Sequence, residues 1–294
     1  MLEAVPNVSE GRDPSRVAAI ADAFSLHALL LDVHSDPDHN RSVITLAGED
    51  DQLVDSLLFG IAVAVELLDL RRHFGVHPRV GVADVVPIVP LSPGDMPRAA
   101  SAARVLAHRV GEELALPVFC YGEIGEGRRP AFFRRGGLDE LVRRVEAGEL
   151  EPVAGPGHID PQSGVVLVGA REPLVAYNVV LATDDVEIAR EIARAVRGSS
   201  GGIRGLQAIG LLLPETARVQ VSLNVIDVMA APLHEVVARI REEAEARGVE
   251  VATGELVGLV PARVLDAAVA ANAPVPDVDA SRVLENVLAS RLAG

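Results

Sequence analysis

The chain has 294 residues, of which 49% are apolar and 3% aromatic, and its formal net charge is −15. This length suits one large domain or two of ordinary size, with ample apolar residues for a core of Val, Leu, Ala and Ile. An acidic surface argues against nucleic acid or an anionic membrane as the main partner, so an anionic substrate would need a local basic pocket.

The sequence also indicates a compartment. No apolar run reaches the ~18 residues of a membrane-spanning helix, and the N-terminus lacks the basic and long apolar stretches of a secretory signal. The single cysteine, Cys120, cannot form an intrachain disulfide. It lies in an apolar run, where a buried structural thiol is the expected role. We therefore expect a soluble cytoplasmic protein.

The first part of the chain reads as a β-α-β-β-α-β unit. Asp13 and Pro14 supply an N-cap and a first-turn proline for the first helix. The predicted elements are a strand over 2–8, a helix over 14–25, strands over 27–34 and 42–47, a helix over 49–72 and a strand over 82–89.

The second part repeats this order. Its predicted elements are a strand over 174–182, a helix over 185–197, strands over 206–213 and 218–228, a helix over 232–247 and a strand over 249–255. Two such units in tandem predict an α+β fold that arose by duplication of a ferredoxin-like unit. The predicted domains are residues 1–173 and 174–294.

Further elements lie between the two units and at the end of the chain. They are a helix over 93–114, a strand over 117–121, a helix over 138–147, and helices that begin at Pro261 and Asp279. Residues 148–164 are rich in Gly and Pro and cannot form regular structure. A segment of this length is more often a binding loop or lid than a linker.

Residues 71–90 concentrate two histidines and three arginines before a buried strand. The first basic residues are explained by the C-terminus of a helix that stops at Gly75. His77 lies beyond this stop, and Pro78 keeps its backbone extended. A histidine in such a loop suits proton transfer near neutral pH, although a solvated surface histidine is the alternative.

A second polar cluster follows the strand over 27–34. Four potential metal ligands, His34, Asp36, Asp38 and His39, lie within six residues, and His77 could join them. The alternative is an Asp-Pro turn with solvated charges, since no spacing here is a specific metal signature. A metal-assisted hydrolase is therefore a rival function.

Six short motifs are distributed almost end to end along the chain. They are residues 5–11, residues 31–33 with Asn40-Arg41, residues 77–90, residues 117–118 with 121–123, residues 169–171 with 176–178, and residues 256–261. In this order they resemble the glutamate formimidoyltransferase family, the formiminotransferase part of formiminotransferase-cyclodeaminase. Several of the motifs are specific, so chance is a poor explanation.

This resemblance implies transfer of the formimino group from N-formimino-L-glutamate to tetrahydrofolate, giving 5-formimidoyltetrahydrofolate and L-glutamate. It implies two ferredoxin-like subdomains with a substrate cleft between them, usually in a homodimer. Tetrahydrofolate is the co-substrate and no metal is expected. The helical cyclodeaminase part is expected to be absent, so ammonia release would need another protein.

The resemblance also assigns residues. The catalytic histidine of the family falls on His77. The folate-contacting stretch falls on Gly155, Pro156, Gly157, His158, Ile159, Asp160, Pro161, Gln162, Ser163 and Gly164.

The substrate contacts are expected from the polar residues of the other motifs. Arg41 and Arg79 are expected to bind the carboxylates of formiminoglutamate, because Arg binds carboxylate in a bidentate way. Asp36 would receive the cationic amidine. Asn7 and Asn40 complete the predicted substrate site.

Two other functions stay open at this point. One is a related folate enzyme that uses a formyl donor, either a glutamate formyltransferase or an enzyme similar to 5-formyltetrahydrofolate cycloligase. The other is the metal-assisted hydrolase. The chain also departs from the vertebrate members, which carry an Asp where it has His34, so His34 or Asp36 would have to replace that group.

Overall fold

The computed structural model describes residues 1–92 and 94–293. The chain forms two compact units, Met1–Glu172 and Pro173–Gly294. Each unit combines one β-sheet with helices, which confirms the mixed α+β class expected from the sequence. Among the described residues, no helix combines the length and the apolar character needed to cross a membrane.

The first unit is built on a seven-stranded sheet. Its strands are β1 (Leu2–Ala4), β2 (Asn7–Val8), β3 (Leu29–Asp36), β4 (Arg41–Gly48), β5 (Ala83–Pro90), β6 (Val118–Gly122) and β7 (Val166–Ala170). β1 and β2 together occupy the predicted first strand, and both pair with β4 and β5 in antiparallel register. β3 pairs with β4, while β7 and then β6 extend the sheet from β5 in parallel.

The helices of this unit cover both faces of the sheet. They are α1 (Pro14–Phe24), α2 (Asp50–Leu67), α3 (Met96–Glu113), α4 (Pro130–Arg134) and α5 (Gly137–Glu146). α1, α2 and α3 share one buried core with the sheet, and α4 and α5 contribute to a second core. Val166 and Val168 join the first core and Leu167 the second, because successive strand residues point to opposite faces.

Local sequence signals correctly predict the start of α1. The Asp13 carboxylate accepts hydrogen bonds from the N–H groups of Ser15 and Arg16, and Pro14 occupies the first turn. The prediction for α3 is tested only in part. The helix begins at Met96, and its predicted start at Pro93 lies outside the described residues.

The prediction that the second helix continues to residue 72 is wrong. α2 ends at Leu67, and Leu68 turns into extended backbone with a buried side chain. The side chain of Asp69 then caps a separate 3-10 turn, Leu70–Arg72. The basic residues of this turn therefore do not offset a helix dipole, and Gly75 does not terminate a helix.

Two elements of the first unit, α4 and β7, have no counterpart among the predicted elements. β7 follows the Gly- and Pro-rich residues 148–164, which are all described and contain isolated bridges at Ala154 and Gly164 but no helix or strand. Both neighbours of β7 in the sheet are parallel strands distant in sequence. The partners of such a strand cannot be read from its own residues, because parallel strands are joined by long connections.

The second unit has a four-stranded antiparallel sheet in the order β11-β8-β10-β9. Its elements are β8 (Val175–Leu181), α6 (Val186–Val196), β9 (Leu206–Leu213), β10 (Arg218–Val225), α7 (Leu233–Glu245), β11 (Val251–Val257), α8 (Ala262–Ala270) and α9 (Leu284–Ala293). The six elements that were predicted from residue 174 to residue 255 are all present.

Gly60 offers a test of the packing between α1 and α2. A Cβ atom at this helical position would overlap the buried ring of Phe24. Gly60→Ala is therefore expected to lower the free energy of unfolding by about 1–3 kcal/mol, although Ala is the better helix former. Urea denaturation measures this change. Gly157→Ala is the control, since its added methyl group meets no atom within 4 Å, and an equal loss there would contradict the packing explanation.

Candidate active site

His77 lies in the loop that leads from the 3-10 turn Leu70–Arg72 to β5. Its Nδ1 atom is 2.8 Å from the carbonyl oxygen of Pro78. A carbonyl oxygen only accepts hydrogen bonds, so this contact requires a hydrogen on Nδ1 and leaves the lone pair of the neutral ring on Nε2. His77 is thereby oriented as a proton acceptor.

Arg79 holds this loop together from within. Its guanidinium group donates to the carbonyl oxygens of His73 at 2.7 Å, Gly75 at 3.1 Å and His77 at 3.2 Å. A planar guanidinium carries five donors in a fixed geometry, so it can bind several carbonyl groups at once. These bonds shape the loop, and the predicted role of Arg79 as a ligand for substrate carboxylate is not tested by them.

Asn40 joins the His77 loop to two other segments. Its Oδ1 accepts from the N–H of Gly11, its Nδ2 donates to the carbonyl of Phe74, and both distances are 3.0 Å. Its own carbonyl oxygen is 2.7 Å from Nε2 of His73. Asn40 has φ of 46°, in the left-handed region that Asn tolerates better than most residues. The strained turn before β4 thus positions the loop.

A buried charge cluster centres on Asp84, which is fully inaccessible to solvent. Oδ2 of Asp84 accepts from Arg41 at 2.7 Å and also from Arg134, while Oδ1 accepts from the N–H of Val80 at 2.8 Å. Arg41 also donates to Oδ1 of Asn7 at 2.9 Å. Two guanidinium groups therefore share one carboxylate, which leaves one excess positive charge in the cluster.

This cluster sets the charge states nearby. Burial raises the pKa of Asp84, but Arg134 and Arg41 outweigh it and hold that pKa well below its usual value. Burial lowers the pKa of Arg41 to about 10. Burial and the positive charges of Arg41 and Arg134 lower the pKa of His77 well below its usual value. His77 is therefore neutral at physiological pH, as a general base requires.

The carboxylate of Asp36 contacts a second histidine, His39. Its Oδ1 accepts from the backbone N–H of His39 at 2.8 Å, and its Oδ2 lies 3.2 Å from His39 Nδ1. The rings of His39 and His77 meet edge to face with their centroids 5.9 Å apart. The predicted substrate residues Asn7, Asp36, Asn40 and Arg41 thus belong to one connected group with His77 and Arg79, and their contacts with substrate are untested.

An open cavity of about 450 Å³ is lined by two members of this group, His77 and Arg79. Its walls are formed by the His77 loop, by the start of α5 and by one residue of the predicted folate stretch. The lining residues are Leu70, Arg71, Gly75, Val76, His77, Pro78, Arg79, Gly136, Gly137, Leu138, Asp139 and Pro161.

The predicted folate stretch, residues 155–164, reaches the cavity only through Pro161. Beside Pro161, the carbonyl and side chain of Gln162 accept from Leu70 and Arg71, both at 2.9 Å. At the other end, Gly155 packs so closely on Leu116 that a Cβ atom would overlap the carbonyl group of Leu116. The stretch is therefore anchored at separate places, and its contacts with folate remain a prediction.

Sequence reasoning missed two features of this site. Arg134 was not singled out, since no local pattern links it to Asp84, which lies 50 residues earlier. His39 was considered only as a metal ligand, although its position three residues after Asp36 is a recognisable turn pattern. Within residues 1–92 and 94–293, no group of three or more His, Cys, Asp or Glu side chains could hold a metal ion.

Cys120 lies on β6 and is half-buried. Burial raises the pKa of its thiol to about 11. A thiol protonated at physiological pH is a poor nucleophile, in agreement with the structural role expected from the sequence.

Comparisons with known proteins decide the family. The family described as "Formiminotransferase domain, N-terminal subdomain" matches residues 1–171, and "Formiminotransferase domain" matches residues 176–273. The chain belongs to the formiminotransferase family. This confirms the family resemblance that was read from the six sequence motifs.

Individual members of this family are similar over most of the chain. The glutamate formimidoyltransferase of Thermoplasma acidophilum is 38% identical over 90% of this chain and 89% of its own length. That of Streptococcus pyogenes is 36% identical over 90% of each. The formimidoyltransferase-cyclodeaminase of Gallus gallus is 39% identical over 91% of this chain but only 52% of its own length.

Removal of the buried carboxylate is expected to destabilise this formiminotransferase-family chain. Asp84→Asn leaves two arginines without their counter-charge, so the free energy of unfolding should fall by roughly 3–5 kcal/mol at pH 7. The folded-state pKa of Asp84 is lowered, so its stabilisation is complete above the unfolded value of about 4 and is lost as the pH falls below it. In urea denaturation, the difference in free energy of unfolding between the wild type and Asp84→Asn should therefore be smaller at acidic pH than at neutral pH.

A surface ion pair provides the control for this measurement. Asp55 is partly exposed and pairs with Arg109, so Asp55→Asn should cost less than about 1 kcal/mol. Equal losses of unfolding free energy in the two variants would show that burial does not increase the contribution of Asp84 to stability.

The pKa of His77 gives a direct test of the cluster. Arg134→Met removes one of the two cations that lower this pKa, so the pKa of His77 should rise. NMR titration of the histidine ring protons, with the His77 signal assigned from a His77→Gln variant, measures the change. Arg135→Met removes an exposed neighbouring charge and should leave the titration unchanged. Equal pKa shifts in the two variants would contradict a specific effect of the Arg134 charge on His77.

Proposed function

We propose that the chain transfers the formimino group from N-formimino-L-glutamate to tetrahydrofolate, giving 5-formimidoyltetrahydrofolate and L-glutamate. It is an enzyme of the glutamate formimidoyltransferase class. The similarity to two proteins of that name over 90% of the chain carries this assignment. Tetrahydrofolate is the co-substrate.

We propose His77 as the acid and base of this reaction. N5 of tetrahydrofolate attacks the amidine carbon and must lose a proton, and the leaving glutamate nitrogen must gain one. His77 is supported in this role because it lines the cavity and its Nδ1 is tied to Pro78. Its lowered pKa keeps Nε2 available to take the proton from N5. Neither transfer requires a further cofactor.

The substrate contacts of the site are also proposals. Arg41 has a guanidinium group that is only partly used by Asn7 and Asp84, so its remaining donors suit a carboxylate of formiminoglutamate. Asn40 and Arg79 support this site by shaping the His77 loop. Residues 155–164 are proposed to contact the folate, with Pro161 closest to the catalytic histidine because it shares the same cavity.

The domain assignment follows the two units. We propose a ferredoxin-like fold for each subdomain, residues 1–173 and 174–294. The strand orders support this. In the first sheet β1 pairs with both β4 and β5, and β3 pairs with β4. In the second sheet β8 likewise lies between β10 and β11, and β9 pairs with β10. The substrate cleft, the homodimer and the cytoplasmic location expected from the sequence remain predictions.

Turnover with defined donors tests the proposed reaction. The wild-type protein should consume N-formimino-L-glutamate only when tetrahydrofolate is present, and His77→Gln should lower kcat by about 10²–10⁴-fold. The appearance of 5-formimidoyltetrahydrofolate is followed by absorbance and mass spectrometry. His108→Gln, at an exposed position on α3, is the control and should be fully active.

Two results would overturn this proposal. Turnover of N-formyl-L-glutamate without turnover of the formimino compound would favour the related formyl-transfer function. A His77→Gln protein with normal kcat would remove His77 from the mechanism.

A further inference from the structure

Asp36, His39 and His77 form a connected series in the first unit. Both carboxylate oxygens of Asp36 lie within hydrogen-bond distance of His39, one at its backbone N–H and one at Nδ1. His39 is only 8% exposed, and the edge-to-face contact between the two rings places the imidazoles side by side. An ionised carboxylate only accepts hydrogen bonds, so this contact favours the form of His39 that carries a hydrogen on Nδ1.

The two rings face opposite electrostatic surroundings. His77 lies beside the Arg41–Asp84–Arg134 cluster, whose excess positive charge disfavours an imidazolium. His39 is held by a carboxylate, and a carboxylate that orients an imidazole also stabilises the imidazolium that forms during proton transfer. Groups whose surroundings push their protonation apart are the usual sign of separate acid and base roles.

The reaction needs both roles at one carbon atom. When N5 forms its bond to the amidine carbon, one proton leaves N5, and when the bond to the glutamate nitrogen breaks, that nitrogen takes one proton. The donor and acceptor nitrogens are attached to the same carbon, so two adjacent imidazole rings can serve them. No proton is gained or lost overall once the proton taken by one ring returns to the other.

We propose that His39 is the general acid of this site, with Asp36 as the residue that positions it. Nε2 of His77 accepts the proton from N5, and Nε2 of His39 donates a proton to the leaving glutamate nitrogen. The proton on His77 then passes to His39 and restores the starting state. This inference rests on the proposed function and divides the acid and base work that was there given to His77 alone.

Other charged groups surround the pair and enter its titration. Arg41, Arg134 and Asp84 act on His77, Arg79 donates to the backbone carbonyl of His77, and Asp38 lies next to His39 in the same turn. The measured pH limits therefore belong to the coupled pair rather than to one ring.

The proposal is tested by the pH dependence of kcat in His39→Gln and Asp36→Asn. It is measured with saturating N-formimino-L-glutamate and tetrahydrofolate from about pH 4 to 9, because the lowered pKa of His77 places the acidic limb below its usual position. The wild type should show a bell-shaped profile. Its kcat should fall at acidic pH as His77 becomes protonated, and at alkaline pH as His39 loses its proton. His39→Gln should lower kcat by about 10²-fold, change KM little and lose the alkaline limb. Asp36→Asn should keep this limb but move it to lower pH, because the carboxylate no longer stabilises the imidazolium.

A purely structural role of His39 gives a different result. In each variant kcat would then fall by a factor that is the same at every pH, and the shape of the pH profile would not change. That outcome, or a His39→Gln protein with normal kcat, overturns the proposal. Asp36→Asn alone keeps the test valid where His39→Gln does not fold, since a limb that does not move also overturns it.

Two controls complete the experiment. His108→Gln, at an exposed position on α3, should reproduce the wild-type profile. Absence of formimino transfer by the wild type would contradict the proposed function itself, whereas an active wild type with unchanged profiles in both variants would contradict only the role of His39.

Discussion

The first unit depends on how the buried carboxylate of Asp84 is compensated. Asp84 is fully inaccessible to solvent, and an unpaired charge in such a place would be strongly destabilising. Arg41 on β4 and Arg134 on α4 both reach it, so the charge ties two strands to a helix on the second core. The pairing leaves a net positive charge beside His77, and the same contacts that hold the fold therefore keep the His77 ring neutral.

The loop that carries His77 is ordered by backbone contacts rather than by a core of its own. Arg79 binds its carbonyl groups, and Asn40 fixes it to the turn before β4. Together these hydrogen bonds hold the loop in one conformation. Substitutions in these supporting residues should therefore change the position of His77.

Membership of the formiminotransferase family and the local chemistry point to the same kind of reaction. Transfer of an amidine carbon between two nitrogens needs matched proton transfers, and two imidazole rings lie in edge-to-face contact in the first unit. The carboxylate of Asp36 orients one of these imidazoles. This imidazole is that of His39 and not that of His77.

Local sequence alone determined the capping of α1 by Asp13, most strand and helix positions, and the family, because these depend on short-range periodicity and motifs. Tertiary structure decided where α2 ends, since burial of Leu68 and the cap at Asp69 override the helical pattern. It also decided the parallel strand β7 and the partner of Asp84, which lies 50 residues away at Arg134. Charge burial and parallel pairing join residues too distant for any local pattern to reveal.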